Sequence, residues 1–382
     1  MKINLRKFAG LSLAGFALAV AVPAQASDKA LLDALVENNV LTRAQAEEIR
    51  GKAPTLVTPN RGIVTELKIR GRIQAQAAYA DGSNSNHTAS ASDYSTMELR
   101  RTRLGVQGRI FDDWRFMVEA NVLATTDLDG ATLTYAANPE AQFTVGKAKP
   151  QFGHEENTSS ASILTMERSR LTGLFNGGKP LGLRVHGAVD NFSYYAGLFN
   201  GASTSTSRMG SGNDSYLWNA SVGYNMSPVR LRLDYLHSTK SSGYYRFEDA
   251  VALSAHYRAN EFDLRAEYMQ GSNHAGDKTR GWYVMPSYFF TPSKLQGVLR
   301  YEQVKGDAGV NVGANRYAAD VPGLYRSGNR YNALYAGINY FISGDNLKFM
   351  VGIERAENSN DTMNPEPKGK TTTLITGVRM QF

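Results

Sequence analysis

In Leu67-Lys68-Ile69-Arg70-Gly71-Arg72-Ile73-Gln74-Ala75-Gln76 the odd positions are apolar or small and the even positions are polar. Successive side chains of a strand point to opposite faces, so a period of two predicts a strand with one apolar and one wetted side. The alternation recurs: Val229, Leu231, Leu233 and Tyr235 oppose Arg230, Arg232 and Asp234, and Phe262, Leu264, Ala266 and Tyr268 oppose Asp263, Arg265 and Glu267. It predicts sixteen strands, over 67–79, 97–110, 114–125, 131–137, 141–149, 182–189, 192–200, 215–225, 229–239, 250–259, 262–272, 281–291, 295–305, 330–342, 347–357 and 371–382. Many are near the ~9–11 residues that carry a tilted strand across a bilayer. Seven connections are tight and rich in Asp, Asn, Pro, Ser or Gly, from Phe111-Asp112-Asp113 to Ser343-Gly344-Asp345-Asn346, and longer loops such as 202–214 and 306–329 lie between them. Short turns at one end and long loops at the other describe a transmembrane barrel, whereas a soluble sandwich has no cause to alternate loop lengths so regularly. The expected fold class is all-β: a 16-stranded antiparallel transmembrane β-barrel over 67–382. Parity does not assign faces in 131–137 and 330–342.

The N-terminal part has a different texture. Lys2, Arg6 and Lys7 precede the apolar run Phe8 to Val22, and Ala24-Gln25-Ala26 is a small-residue cleavage site, so 1–26 is expected to be a signal peptide. Residues 27–53 have helical spacing, with Leu31, Leu32, Leu35 and Val36 on one side and a capping box from Thr42 to Gln45, and are expected to form a short periplasmic helical segment. Residues 54–66 are expected to be a linker. The chain has 382 residues, no cysteine, 42 Lys and Arg, 35 Asp and Glu, and a formal charge of +7, which falls to +4 once Lys2, Arg6 and Lys7 are removed. The absence of cysteine excludes disulfides, thiolate metal sites and cysteine nucleophiles. Export makes a nucleic-acid partner unsuited to so modest a charge. Tyr79, Trp114, Tyr216, Trp218, Tyr224, Trp282 and Tyr288 fall near strand ends, where interfacial aromatic girdles are placed, and the last strand ends in Phe382.

Sixteen strands enclose more space than side chains fill, so the polar face should line a water-filled channel. By parity its bases are Lys68, Arg70, Arg72, Arg101, Arg103, Arg109, Arg115, Arg184, Arg230, Arg232, Arg258, Arg265, Arg300, Lys348 and Arg379, against the acids Glu66, Glu119, Asp234, Asp263, Glu267, Glu302 and Glu354. Fifteen against seven predicts a lumen that favours anions. The longest connection, 150–181, is the candidate constriction loop. His154-Glu155 opens like a zinc-protease motif, but Thr158 stands where the second histidine belongs, so no metal is expected. Thr158, Ser159 and Ser160 could donate to an anion or cap a helix expected over Ala161 to Arg168.

These stretches resemble the phosphate- and pyrophosphate-selective outer-membrane porins of Gram-negative bacteria, the porin O and P type. The resemblance is carried by Leu99-Arg100-Arg101-Thr102-Arg103-Leu104-Gly105, Phe111-Asp112-Asp113-Trp114-Arg115-Phe116, Val145-Gly146-Lys147 with Phe152-Gly153, Thr158-Ser159-Ser160 with Glu167-Arg168-Ser169, and Gly197-Leu198-Phe199-Asn200-Gly201. It covers essentially the whole mature chain and implies a sixteen-stranded barrel assembled as a homotrimer in the outer membrane. It further implies that Arg72, Arg101 and Arg115 surround an anion-binding constriction together with the loop hydroxyls of Ser159 and Ser160. Parity adds Arg103 to these bases and turns Arg100 away from Arg101. Two departures stand out: Glu156-Asn157 occupies the place of a lysine, and Arg103 that of a tyrosine.

The leading expectation is an outer-membrane porin for passive diffusion of small hydrophilic solutes, preferring small anions, with Glu155 and Glu156 as opposing loop acids. A phosphate- or polyphosphate-selective channel with a cationic binding site is the alternative. A barrel enzyme is the third reading, but histidines stand only at 87, 154, 186, 237, 256 and 274, and neither G-x-S-x-G nor H-E-x-x-H occurs. No cofactor is expected, and the remaining partner is outer-membrane lipid.

Overall fold

The computed structural model describes residues 63–123, 127–202, 215–239 and 245–382, together with the backbone of β1 (Thr55–Leu56). The expected signal peptide, 1–26, and helical segment, 27–53, lie outside the described residues. Sixteen long strands follow β1: β2 (Val64–Ser85), β3 (Asp93–Ile110), β4 (Trp114–Asn121), β5 (Asp127–Asn138), β6 (Ala141–Lys147), β7 (Leu181–Val189), β8 (Phe192–Asn200), β9 (Tyr216–Met226), β10 (Val229–Ser238), β11 (Asp249–Ala259), β12 (Phe262–Ser272), β13 (Lys278–Thr291), β14 (Leu295–Gly306), β15 (Arg330–Ser343), β16 (Leu347–Ser359) and β17 (Lys368–Gln381). Each pairs antiparallel with its sequence neighbours, and β17 pairs back onto β2, so β2 to β17 form a closed ring. Closure leaves no unpaired sheet edge, which a hydrocarbon environment demands. The tight turns bend through left-handed residues at Phe111, Asp112, Asp190, Asn260, Ser293 and Gly344, the backbone geometry that matches a twisted hairpin.

All sixteen expected strands are present. Differences lie at their ends. β2 begins at Val64, inside the expected linker 54–66, and β1 pairs Thr55 with Lys68 and Leu56 with Leu67, beyond the point where β17 leaves β2 at Arg72. The terminal Phe382 closes that seam, accepting a hydrogen bond from the Gly71 amide at 2.8 Å and laying its ring where a Gly71 side chain would be. β5 starts at Asp127, not at 131, and a bulge beside Glu119 and Ala120 explains why parity fails there. β15, where parity was also silent, turns Tyr331, Ala333, Tyr335 and Asn339 inward and leaves Leu334, Ile338 and Tyr340 exposed.

The outward positions form an apolar band: Leu104, Leu183, Val222, Leu233, Leu253, Leu299, Leu334 and Val351 are all exposed. So much contiguous apolar surface suits lipid and not water. Paired rings border it at both ends, with Trp114 against Tyr135 at 5.1 Å and Phe192 against Tyr224 at 4.6 Å at the turn end, and Trp218 against Tyr235 at 5.3 Å and Trp282 against Tyr301 at 5.6 Å at the loop end.

The connection from β6 to β7 crosses the lumen. It carries α1 (His154–Asn157) and α2 (Arg170–Leu174), and no helix forms over Ala161 to Arg168. The reason is visible in its hydrogen bonds: Arg379 takes the carbonyls of Ile163 and Thr165 at 3.1 and 3.0 Å, and Asn339 takes that of Leu164 at 2.9 Å, so side chains of the wall occupy acceptors a helix would use. Carboxylates of the wall hold the other half. Asp234 accepts the Gly153 amide at 2.8 Å, Glu267 accepts the amides of His154 and Glu155, and Glu302 accepts the Leu171 amide at 3.2 Å. Between them Arg300, almost fully buried, reaches Glu155 at 3.3 Å, Glu302 at 3.5 Å and Glu354 at 3.1 Å.

Removing the one cation from three buried carboxylates leaves their repulsion unscreened, a loss of roughly 3–5 kcal/mol by analogy with broken buried pairs. Arg300→Ala should therefore release the loop inside an intact barrel. Trypsin digestion of the detergent-folded protein checks this: cleavage after Arg168 or Arg170 is expected in the variant and not in the parent protein.

Candidate pore constriction

Because the loop is tied to the wall of β10 to β17, the open space lies on the other side, between the loop and β2 to β6. It is a cavity of about 450 Å³ lined by both strand and loop side chains. The strands contribute Arg70, Arg72, Arg101, Arg103 and Lys147, and the loop contributes Lys149, Arg168 and Lys179. Four acids, Glu119, Asp127, Asp129 and Glu156, complete the charged lining, so eight bases minus four acids leave the basin at +4.

Three of these acids are each shared by two cations. Glu119 lies 3.1 Å from Arg70 and 3.4 Å from Arg103, Asp129 lies 2.9 Å from Arg103 and touches Lys179, and Glu156 touches Lys149 and lies 3.4 Å from Arg168. Arg72 and Arg101 stand apart from this pattern. Arg72 donates to the hydroxyls of Ser160 at 2.6 Å and Ser159 at 3.0 Å, and Arg101 donates to the Gln74 amide oxygen at 2.8 Å. Among the described residues neither makes a direct ion pair with a carboxylate.

The structure thus brings Arg72, Arg101, Arg103, Ser159, Ser160 and Glu156 together. It does not bring Arg115 or Glu155 to them. Arg115, one residue after the turn-end Trp114, pairs in register with Arg109 near the short-turn mouth. Glu155 is buried on the anchoring side, where it accepts from the Ser169 amide at 3.0 Å and from the hydroxyls of Ser169 and Thr172 at 2.7 Å each.

Arg100 also faces inward, contrary to the parity expectation. The register of β2 and β3 shifts between Gln74 and Ala75, so Arg101 opposes Gln74, Leu99 opposes Ala75, and Arg100 is the extra residue of a bulge. Both arginines of the pair therefore enter the lumen, and Arg100 reaches Glu167 at 2.9 Å. The signal was present: the exposed apolar residues are Met97 and Leu99 before the pair but Leu104 and Val106 after it, a change from odd to even. Lys149, Lys179 and Asp129 were not identified from sequence, because the first two flank the loop beside Pro150 and Pro180 and Asp129 lies before the expected start of its strand.

Loop groups feel this environment. Burial pulls the Lys149 ammonium down to about 8 despite the opposite pull of Glu156. Burial, with Arg265 and Arg232 nearby, holds the His154 imidazole down at about 3, so it is neutral. Burial alone would raise Glu167, but Arg100 and Arg101 bring its carboxyl below the usual range. Such fixed charges can attract, orient and pass an ion; among the described residues no cluster of histidine and carboxylate ligands is arranged to hold a metal.

Comparison with known proteins agrees with this geometry. The chain is similar in fold to an anion-selective porin from Comamonas acidovorans, with a TM-score of 0.59 and 12% identity over 83% of this chain and 99% of that one. The trimer form of OmpT from Vibrio cholerae gives 0.55 and 12% over 83% and 99%, and OmpF of Salmonella typhi, in complex with daunomycin, gives 0.55 and 15% over 83% and 98%. No curated protein matches the chain. The family model for phosphate-selective porin O and P matches residues 67–241 and 238–382, which together span all of the barrel but the first three residues of β2. The chain therefore belongs to the phosphate-selective porin O and P family, and is an outer-membrane porin.

Proposed function

We propose that this porin passes small hydrophilic anions by diffusion along a cationic basin, with Arg72 and Arg101 as the groups that favour anions at the narrowing. The observation that carries this reading is the pairing pattern: every basin acid but Asp127 is divided between two bases, whereas Arg72 and Arg101 rest on neutral hydroxyl and amide oxygens. A unit charge 4 Å from a cation gains about 1 kcal/mol in bulk water and about 4 kcal/mol at an effective dielectric of 20. Two such cations are enough to enrich anions in the basin. The paired acids limit the depth of that well, as a channel requires of a site that must also release its ion. A solute here meets fixed charges and no covalent step. The trimer form of one structural neighbour supports a homotrimer in the outer membrane for this chain.

A second reading, a phosphate-selective site, is favoured by one arrangement. The Ser159 and Ser160 hydroxyls sit beside the Arg72 guanidinium, and together they present donors of the type that oxyanions accept. The family to which the chain belongs points the same way.

In planar bilayers under a potassium chloride gradient, the reversal potential should have the sign of anion preference, and Arg72→Ala with Arg101→Ala should lower the anion-to-cation permeability ratio by roughly three- to tenfold. An unchanged reversal potential would place the anion-favouring groups elsewhere. Inorganic phosphate titrated into the same recordings separates the two readings, since a phosphate site predicts saturable block of chloride current and a general anion porin predicts none.

Lys149 adds a pH dependence. A lysine lowered to about 8 is charged below that value and neutral above it, whereas the arginines keep their charge. Anion preference should therefore fall as pH is raised from about 7 to about 9, and Lys149→Arg should flatten the profile.

A further inference from the structure

The outer wall of the barrel carries a charged patch that conduction does not use. On β13, β14 and β15, Arg280 lies opposite Lys305, and Lys305 lies opposite Arg330, all three on outward, exposed positions at the long-loop end. Directly opposed residues on neighbouring strands are about 5 Å apart, so three cations form a row across three strands. Lys370 on β17 extends the same sector, whereas Arg355 on β16 pairs in register with Leu334, four residues down the strand from Arg330's partner Ser359. Below the row, toward the middle of the barrel, stand the exposed rings of Trp282 and Tyr301, and below these the apolar positions Val284, Leu299 and Leu334.

Charge balance favours an anionic occupant. Asp361 lies 3.2 Å from Lys305 and touches Arg330, Glu357 lies 3.3 Å from Lys370, Glu366 lies 3.2 Å from Lys368, and Asp307 accepts the Lys278 amide, so the six bases Lys278, Arg280, Lys305, Arg330, Lys368 and Lys370 stand against four acids. Arg280 and Arg355 have no ion pair among the described residues. The sector is also distinct from its surroundings: on β2 and β3 the outward loop-end charges are Asp81 and Asp93, which face each other in register, and on β11 the corresponding group is Asp249. An outward arginine on a lipid-facing wall is poorly placed unless it lies at headgroup depth, and the Trp282–Tyr301 pair marks that depth.

We infer that Arg280, Lys305 and Arg330 form a binding site for a phosphorylated lipid headgroup of the outer leaflet. Asp361 holds Lys305 and Arg330 side by side, and the unpaired Arg280 presents a planar fork of donors suited to a phosphomonoester. The acyl chains of the same molecule would lie on the apolar positions beneath the aromatic pair. This rests on the seating of the barrel with its long loops outward and not on the identity of the transported ion.

The test uses the full-length porin in phosphatidylcholine nanodiscs doped with a bis-phosphorylated glycolipid or with its dephosphorylated counterpart, and native mass spectrometry counts the lipid retained. The parent protein should retain the phosphorylated lipid preferentially. Arg280→Gln combined with Lys305→Gln and Arg330→Gln should bind it roughly tenfold more weakly, while the reversal potential in planar bilayers stays that of the parent, since none of the three side chains faces the lumen. Arg280→Gln alone, which removes no ion pair, should show a smaller loss in the same direction and serves if the triple variant fails to fold. Equal retention of phosphorylated and dephosphorylated lipid, retention unchanged in the variants, or displacement of the lipid by millimolar inorganic phosphate would each overturn the assignment to a lipid headgroup.

Discussion

The structure depends on an electrostatic tie between one loop and one side of a hollow cylinder. Closing sixteen strands satisfies every backbone group that would otherwise face hydrocarbon, but it also encloses a lumen that the inward side chains do not fill. What decides the use of that lumen is where the β6–β7 loop lies. Wall carboxylates at Asp234, Glu267 and Glu302 take loop amides, and Arg300 and Arg379 take loop carboxylate and carbonyl oxygens. The loop is thereby fixed to β10 through β17, and the remaining space is bounded by the arginines of β2 and β3.

Charge is divided between two tasks. Buried charges of the far wall at Asp234, Glu267, Arg300, Glu302 and Arg379 hold the loop, with Arg300 serving three carboxylates at once. The charges on the near side line the open basin and are only partly neutralised. The count of fifteen inward bases against seven acids has the same sign as the basin lining, but does not give the number of cations available to a passing ion. Arg300 and Arg379 belong to the scaffold, while Lys149, Arg168 and Lys179 enter the basin from the loop.

Much of this was legible in the chain because a membrane-spanning strand has no freedom to depart from a period of two without exposing polar groups to lipid. The tight turns were equally plain, since Asp190, Asn260 and Gly344 are residue types that tolerate left-handed backbone. The errors of facing share one origin. Parity assumes a regular ladder, and the bulge at Arg100 and the one beside Glu119 each shift it by one residue. The helix expected over Ala161 to Arg168 failed for a different reason: its carbonyls are claimed by Asn339 and Arg379, which are distant in sequence and not visible to local propensity. Glu155 and Glu156 illustrate the same limit, because adjacent acids on a one-turn helix point to opposite sides of the loop, one into the scaffold and one into the basin.

The most direct measurement is the position of a heavy halide in the lumen. Anomalous diffraction from crystals soaked in bromide should place an ion between the loop and β2–β3, within contact distance of Arg72 and Arg101. Bromide found only outside the basin, or rubidium occupying that position in a parallel soak, would contradict the account.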